Sequence, residues 1–272
     1  MRLGFCASGN LRLADSPAIG DCDQIRTMVD NYRYAKEIGY DYIEFGVANF
    51  AAMSEEDMEK AVQYHNQGLL TVESCNGFIP ATLPLVGDQV DVDAVRAYLQ
   101  KVLPRMASVG VETVVFGSGG ARRVPEGISD EQAWQQLDAF MTMAEEIARP
   151  LGITIVIEPL NHKETNIMLT VAKSYQVAKR LNLPNLKVLG DTYHMYIEEE
   201  DPSILTECAD LLQHVHVAEP VERGIPVDCP YLRQTGEALR KAGYEGRVTI
   251  ECRHKNFVED IKNVNPLMRE MF

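Results

Sequence analysis

Eight short apolar runs, separated by amphipathic helical segments, constrain this chain more than any other feature. The runs are Leu3–Cys6, Tyr42–Gly46, Leu70–Cys75, Thr113–Gly117, Thr154–Glu158, Lys187–Asp191, His214–Val217 and Thr249–Cys252. Apolar strands that alternate with helices predict a parallel sheet covered by helices. Eight of them in 272 residues give about 34 residues per unit, the spacing of a (β/α)₈ barrel. Ser54 ahead of Glu55, Glu56 and Asp57, and Ser129 ahead of Asp130 and Glu131, read as helix starts. Gly39, Gly68, Gly110, Gly152 and Gly243 each precede a run, where a helix can end on a left-handed glycine. No linker or composition break interrupts this phase, so the expected fold is a single-domain α/β TIM barrel over residues 1–272. A doubly wound sheet would open its first helix with GxGxxG, which is absent. FGSGGARR after the fourth run reads as a flexible loop over the site.

Charge and cysteine usage narrow the function classes. Asp and Glu number 40 against 26 Lys and Arg, a net charge of -14 that repels polyanions and argues against nucleic acid as a partner. No stretch approaches the roughly 20 apolar residues of a membrane helix, and MRLGFCASGN does not resemble a signal peptide. Cys6, Cys22, Cys75, Cys208, Cys229 and Cys252 are scattered without CxxC pairing, which fits reduced thiols in a cytoplasmic enzyme.

In such a barrel, chemistry gathers at the C-terminal ends of the strands. The fifth run, TIVIEPLN, carries Glu158 at its tip; the sixth, KVLGDTYHM, carries Asp191 and His194; the seventh reads HVHVAEP; the eighth, VTIECRH, carries Glu251. One glutamate at a strand end is ordinarily solvated or salt-bridged. Carboxylates gathered from several neighbouring strands repel one another unless a cation neutralises them. Two glutamates, an aspartate and a histidine form a mixed oxygen and nitrogen set suited to Mn²⁺, Mg²⁺ or Co²⁺ rather than to thiol-rich zinc. Alternation is read as letting only one of His214 and His216 face the barrel interior; His216, nearer the mouth, is chosen, with His214 outward or lower as a packed histidine. Glu44 is balanced between the pocket and a salt bridge; Glu73 and Cys75 share one face and Asn76 takes the other or the loop, so at least one of the three is expected to line the pocket. Cys6 and Cys252 read as packing residues and Glu198 to Asp201 as a solvated loop leading into a helix; no basic phosphate cradle is evident, although Arg122 and Arg123 after the fourth run could supply one.

At these residues the chain resembles the xylose isomerase-like barrel superfamily, and within it the sugar epimerases typified by D-tagatose 3-epimerase and D-allulose (psicose) 3-epimerase. The resemblance is specific over roughly residues 153–253. It implies that IEPLNHKE carries the metal ligand Glu158 and the substrate-binding Glu164, that DTYHMYIEE carries the ligand Asp191 and the substrate-binding His194, and that HVHVAE and IECR carry the ligands His216 and Glu251. Arg223 in EPVERG stands one residue out of register with the arginine that binds substrate in those enzymes, and GIPVDCPYLRQTG replaces their glycine-rich approach to the seventh helix. The implied activity is a metal-dependent ketose epimerase or isomerase. Glu158 and Glu251 would take and return a proton beside a carbonyl, while one divalent ion, Mn²⁺ before Mg²⁺ or Co²⁺, stabilises the enediolate. The implied partners are a small-molecule sugar and, as in many members, further copies of the chain. Two other activities share the scaffold: a lyase of inosose dehydratase or keto-glycoside-cleaving type, and an apurinic endonuclease. The endonuclease would need early-strand histidines, and the only histidine before residue 162 is His65.

Overall fold

All eight expected runs meet strands of one parallel ladder in the computed structural model, which describes residues 1–7 and 24–272. The strands are β1 (Arg2–Ala7), β2 (Tyr42–Gly46), β3 (Ser74–Asn76), β4 (Thr113–Phe116), β5 (Thr154–Ile157), β6 (Leu186–Asp191), β7 (Leu212–Val217) and β8 (Arg247–Ile250). They pair in sequence order, and β8 returns to β1 through Arg2 opposite Arg247 and Phe5 opposite Ile250, which closes the barrel. Around them run α1 (Gln24–Glu37), α2 (Val47–Ala52), α3 (Glu55–Asn66), α4 (Val92–Ala107), α5 (Gly119–Arg122), α6 (Asp130–Ala148), α7 (Val171–Leu181), α8 (Thr192–Ile197), α9 (Ile204–Glu207), α10 (Pro230–Lys241) and α11 (Phe257–Met271). Cys22 lies outside the described residues.

Local chemistry sets these boundaries. The Ser54 hydroxyl accepts from the Asp57 amide and that of Ser129 from the Gln132 amide, so both expected starts are side-chain caps of α3 and α6. The five glycines expected at helix ends all have positive φ, from 65° to 93°. The third run is shorter than expected. Leu70 and Val72 are buried in the core, but ladder partners on both sides begin only at Ser74, opposite Glu44 and Thr113. Burial made that segment apolar; strand pairing did not.

The barrel interior is divided, and the division positions the site. Val115, Val156 and Leu189 form an apolar cluster separate from the main core between strands and helices. Facing them, β7, β8, β2 and β3 contribute His214, His216, Thr249, Tyr42, Glu44 and Ser74, all fully buried. Below this layer Glu73 accepts from Arg2 and, at 3.0 Å, from Arg247 Nε. An ion-paired plug thus closes the lower end, leaving the upper mouth for chemistry. Among the described residues no helix is long and apolar enough to cross a membrane.

Candidate metal and sugar site

The four strand-end groups converge. Glu158 and Glu251 follow β5 and β8 directly, their amides bonded to the Phe116 and Val217 carbonyls at 3.1 Å each. Asp191 ends β6 opposite His216, because the β6 to β7 register slips between Val188 and Leu189. Val188 pairs with Leu212 while Leu189 pairs with His214, and this bulge brings His216 level with Asp191. One donor atom from each of Glu158, Asp191, His216 and Glu251 lies within 4.8 Å of every other. His216 Nδ1 points into the group, 3.0 Å from Glu158 Oε1, 3.2 Å from Glu251 Oε2 and 3.9 Å from Asp191 Oδ2. Asp191 Oδ1 is engaged by the Tyr193 and His194 amides that open α8, which holds the rotamer. Its Oδ2 is buried without a hydrogen-bond partner. A buried carboxylate oxygen left unpartnered beside two further carboxylates fits a divalent cation with oxygen preference.

Electrostatics agree. Burial alone would lower the His216 pKa, but the surrounding Glu44, Glu251 and Glu158 carboxylates overcome it and hold the imidazole protonated well above its ordinary range. Burial pushes the Glu251 carboxyl up, yet His216 and Arg223 outweigh it and bring it down to about 2. Burial raises the Glu158 carboxyl, a rise only partly countered by its bond to His216 and increased by Glu251 and Asp191. A cation bound here must therefore displace the proton from His216. Because that pKa is raised, affinity is expected to weaken about tenfold for each unit that pH falls through the neutral range, with release of roughly one proton per ion. Calorimetry in two buffers of different ionisation enthalpy reads the proton count directly.

Groups fit to hold substrate surround this cluster. His194 is fully buried; its Nδ1 accepts from the Asn161 amide at 3.1 Å and from Asn161 Nδ2 at 2.9 Å. The proton of a neutral ring is thus on Nε2, which has no partner and can donate to a substrate oxygen. Arg223 reaches the site despite its shifted register. Its backbone adopts φ of 56°, and its guanidinium bonds Glu251 Oε2 at 2.7 Å and Glu164 Oε1 at 3.2 Å. Asn76 Nδ2 donates to Glu251 Oε1 at 3.0 Å, so Asn76 is the pocket-facing member of its trio. Asn161 carried no sequence signal beyond its place in IEPLNHKE.

Several expectations are corrected. His214 and His216 both face the barrel interior, since residues two apart on a strand share a face; His214 packs one layer lower, its ring 5.1 Å from that of His216. Arg122 and Arg123 form no open phosphate cradle. Arg122 is fully buried and donates to the Phe116 carbonyl, and Arg123 donates to the Glu164 carbonyl. FGSGGARR contains the helical turn α5. Glu198 and Glu200 are not merely solvated: Glu198 accepts from the His162 amide at 2.7 Å, and Glu200 from the Val171 and Ala172 amides that open α7.

Gly117 permits the closest approach in the site. A Cβ there would lie 2.1 Å from Glu158 Oε2. Gly117→Ala is expected to displace that carboxylate, weakening divalent-cation binding by roughly tenfold or more and stability by about 1–3 kcal/mol. Cation titration together with thermal unfolding measures both.

Known proteins match the chain in family and in fold. The family described as xylose isomerase-like TIM barrel matches residues 32–271. The chain is 24% identical to the 3-dehydro-D-guloside 4-epimerase of Escherichia coli strain K12, over 83% of this chain and 87% of that one. It is 27% identical to the ketose 3-epimerase of Arthrobacter globiformis, over 85% and 78%. The fold superposes on D-psicose 3-epimerase with D-tagatose from Clostridium cellulolyticum H10 with a TM-score of 0.82 at 18% identity, covering 100% and 99% of the two chains.

Proposed function

We propose, from the premise that the chain belongs to the xylose isomerase-like TIM barrel family, that it is a divalent-metal-dependent sugar epimerase. It is an enzyme of the isomerase class, acting beside the carbonyl of a ketose. The observation that carries this reading is the convergence of Glu158, Asp191, His216 and Glu251 with Asp191 Oδ2 unpartnered.

These four residues would hold the metal, which when bound supplies Lewis-acid stabilisation of negative charge on the substrate oxygens. Epimerisation needs a proton removed from one side of a carbon and returned on the other. Glu158 just after β5 and Glu251 just after β8 reach the mouth from the ends of different strands, so one accepts the proton while the other donates, and the roles exchange in the reverse direction. His194 Nε2 donates to a hydroxyl or carbonyl oxygen of the sugar. Arg223 and Glu164, already paired, present donors and an acceptor to neighbouring hydroxyls. The buried barrel floor beneath the site keeps bulk water from the lower side of the pocket.

A second substrate class is favoured by one finding, the similarity to an enzyme named for 3-dehydro-D-guloside. A 3-keto glycoside also offers an acidic carbon beside a carbonyl, so the same residues serve. An endonuclease reading would need histidines on the early strands, and β1 to β5 carry none; His65 lies in α3, bonded to the Leu70 carbonyl.

The test is to incubate the Mn²⁺-loaded protein with ketohexoses, ketopentoses and 3-keto glycosides, then follow products by chromatography and NMR. The reading predicts a pair of epimers approaching equilibrium from either side. Release of water or an aglycone would make the enzyme a lyase, and no turnover of any member would defeat the proposal.

A further inference from the structure

We propose that Glu44 is a positioning residue that commits His216 to bind the divalent cation through Nδ1. The proposal rests on the metal site argued above and extends it to a carboxylate outside the ligand set.

Glu44 lies on β2, facing the barrel axis, and is completely buried. An ionised carboxylate placed there unpaired would cost several kcal/mol, yet every part of this one is engaged. Its Oε1 accepts from His216 Nε2 at 3.0 Å and lies 3.4 Å from Cys6 Sγ. Its Oε2 accepts from His214 Nε2 at 2.8 Å, from Ser74 Oγ at 2.8 Å and from Thr249 Oγ1 at 3.2 Å. Thr249 in turn is bonded to the Tyr42 hydroxyl at 2.7 Å. Strands β1, β2, β3, β7 and β8 thus all contribute to fixing one carboxylate. Apolar packing would stabilise the barrel at least as well, so stability alone does not account for the arrangement. Direct chemistry does not either, because Glu44 is fully buried below the mouth.

Its geometry relative to His216 does account for it. A neutral imidazole carries one proton, and a metal ligand must present the nitrogen without it. An ionised carboxylate can only accept. Glu44 therefore keeps a proton on Nε2, so that the proton a cation displaces is the one on Nδ1, which faces Glu158, Glu251 and Asp191, the residues with which it would share the ion. The His214 ring lies edge-on at 77° to that of His216. With Glu44 it leaves the ring one orientation.

The experiment compares full-length wild type and Glu44→Gln. Free Mn²⁺ is titrated by EPR, and the ring N–H protons of the Co²⁺-loaded, ¹⁵N-histidine-labelled protein are observed by NMR. The inference predicts that Glu44→Gln binds Mn²⁺ about 10–100-fold more weakly, with KM for sugar at saturating Mn²⁺ unchanged. In the wild type, one paramagnetically shifted, slowly exchanging N–H is expected on Nε2 of a histidine ligated through Nδ1. Mn²⁺ affinity within twofold of wild type, or ligation through Nε2, overturns the inference alone. The wild-type spectrum decides the point even if the variant does not fold. A wild type that binds no Mn²⁺ overturns the inference together with the function it rests on.

Discussion

Glu251→Gln is expected to abolish interconversion of the sugar epimers while leaving solvent-proton exchange in one epimer only, and Glu158→Gln to leave it in the other. Each carboxylate approaches from its own strand, so each can remove only the proton on its side. Glutamine keeps an oxygen for the cation and the shape of the side chain but cannot accept a proton at neutral pH. Loss of one base is expected to lower turnover by about 10²–10⁴-fold. The surviving base still removes and returns a proton on its own face, which labels that epimer in D₂O without inverting it. Following each pure epimer by ¹H NMR distinguishes the patterns. Equal residual exchange of both epimers in either variant would remove the assignment of two bases.

Removal of the metal should abolish activity and loosen the fold. Three carboxylates stand within 4.8 Å of one another, with His216, Arg223 and the buried Arg122 guanidinium to offset them. A cation that binds the folded chain alone stabilises it by about 2.7 kcal/mol at one hundred times its dissociation constant, or roughly 5 °C in Tm for a chain of this length. Exhaustive chelation is expected to reverse that gain and eliminate turnover. Mn²⁺, Mg²⁺ or Co²⁺ should then restore both, to degrees that differ among the ions. Full activity after chelation, verified metal-free by elemental analysis, would contradict the proposed mechanism.

The barrel is legible in the sequence because its signals are local. Ser54, Ser129 and five glycines mark helix ends through their own backbone chemistry, and apolar runs mark strands wherever pairing and burial coincide. At Leu70–Val72 burial and pairing part, and the expected strand shortens. The four converging groups are legible for a related reason: parallel strands place their C-terminal residues at one mouth, so Glu158, Asp191 and Glu251 need only be counted. The remainder depends on partners distant in the chain. Nothing near DYIEFG shows that Glu44 will meet two histidines about 170 residues away. Arg223 reaches Glu251 through a left-handed backbone that spacing alone does not show. Glu198 and Glu200 look solvated as a run of charge until the amides of His162, Val171 and Ala172 are placed against them. His214 is packed one layer lower, one of the two places expected for it, but on the same face as His216, as the two-residue period itself requires.

The most direct test of the metal site is anomalous diffraction at the manganese edge from crystals grown with Mn²⁺. The predicted result is one strong peak among Glu158, Asp191, Glu251 and His216 Nδ1. The contradicting result is no peak there, or a peak between Cys6, Glu44 and His216, the other group of candidate donors among the described residues.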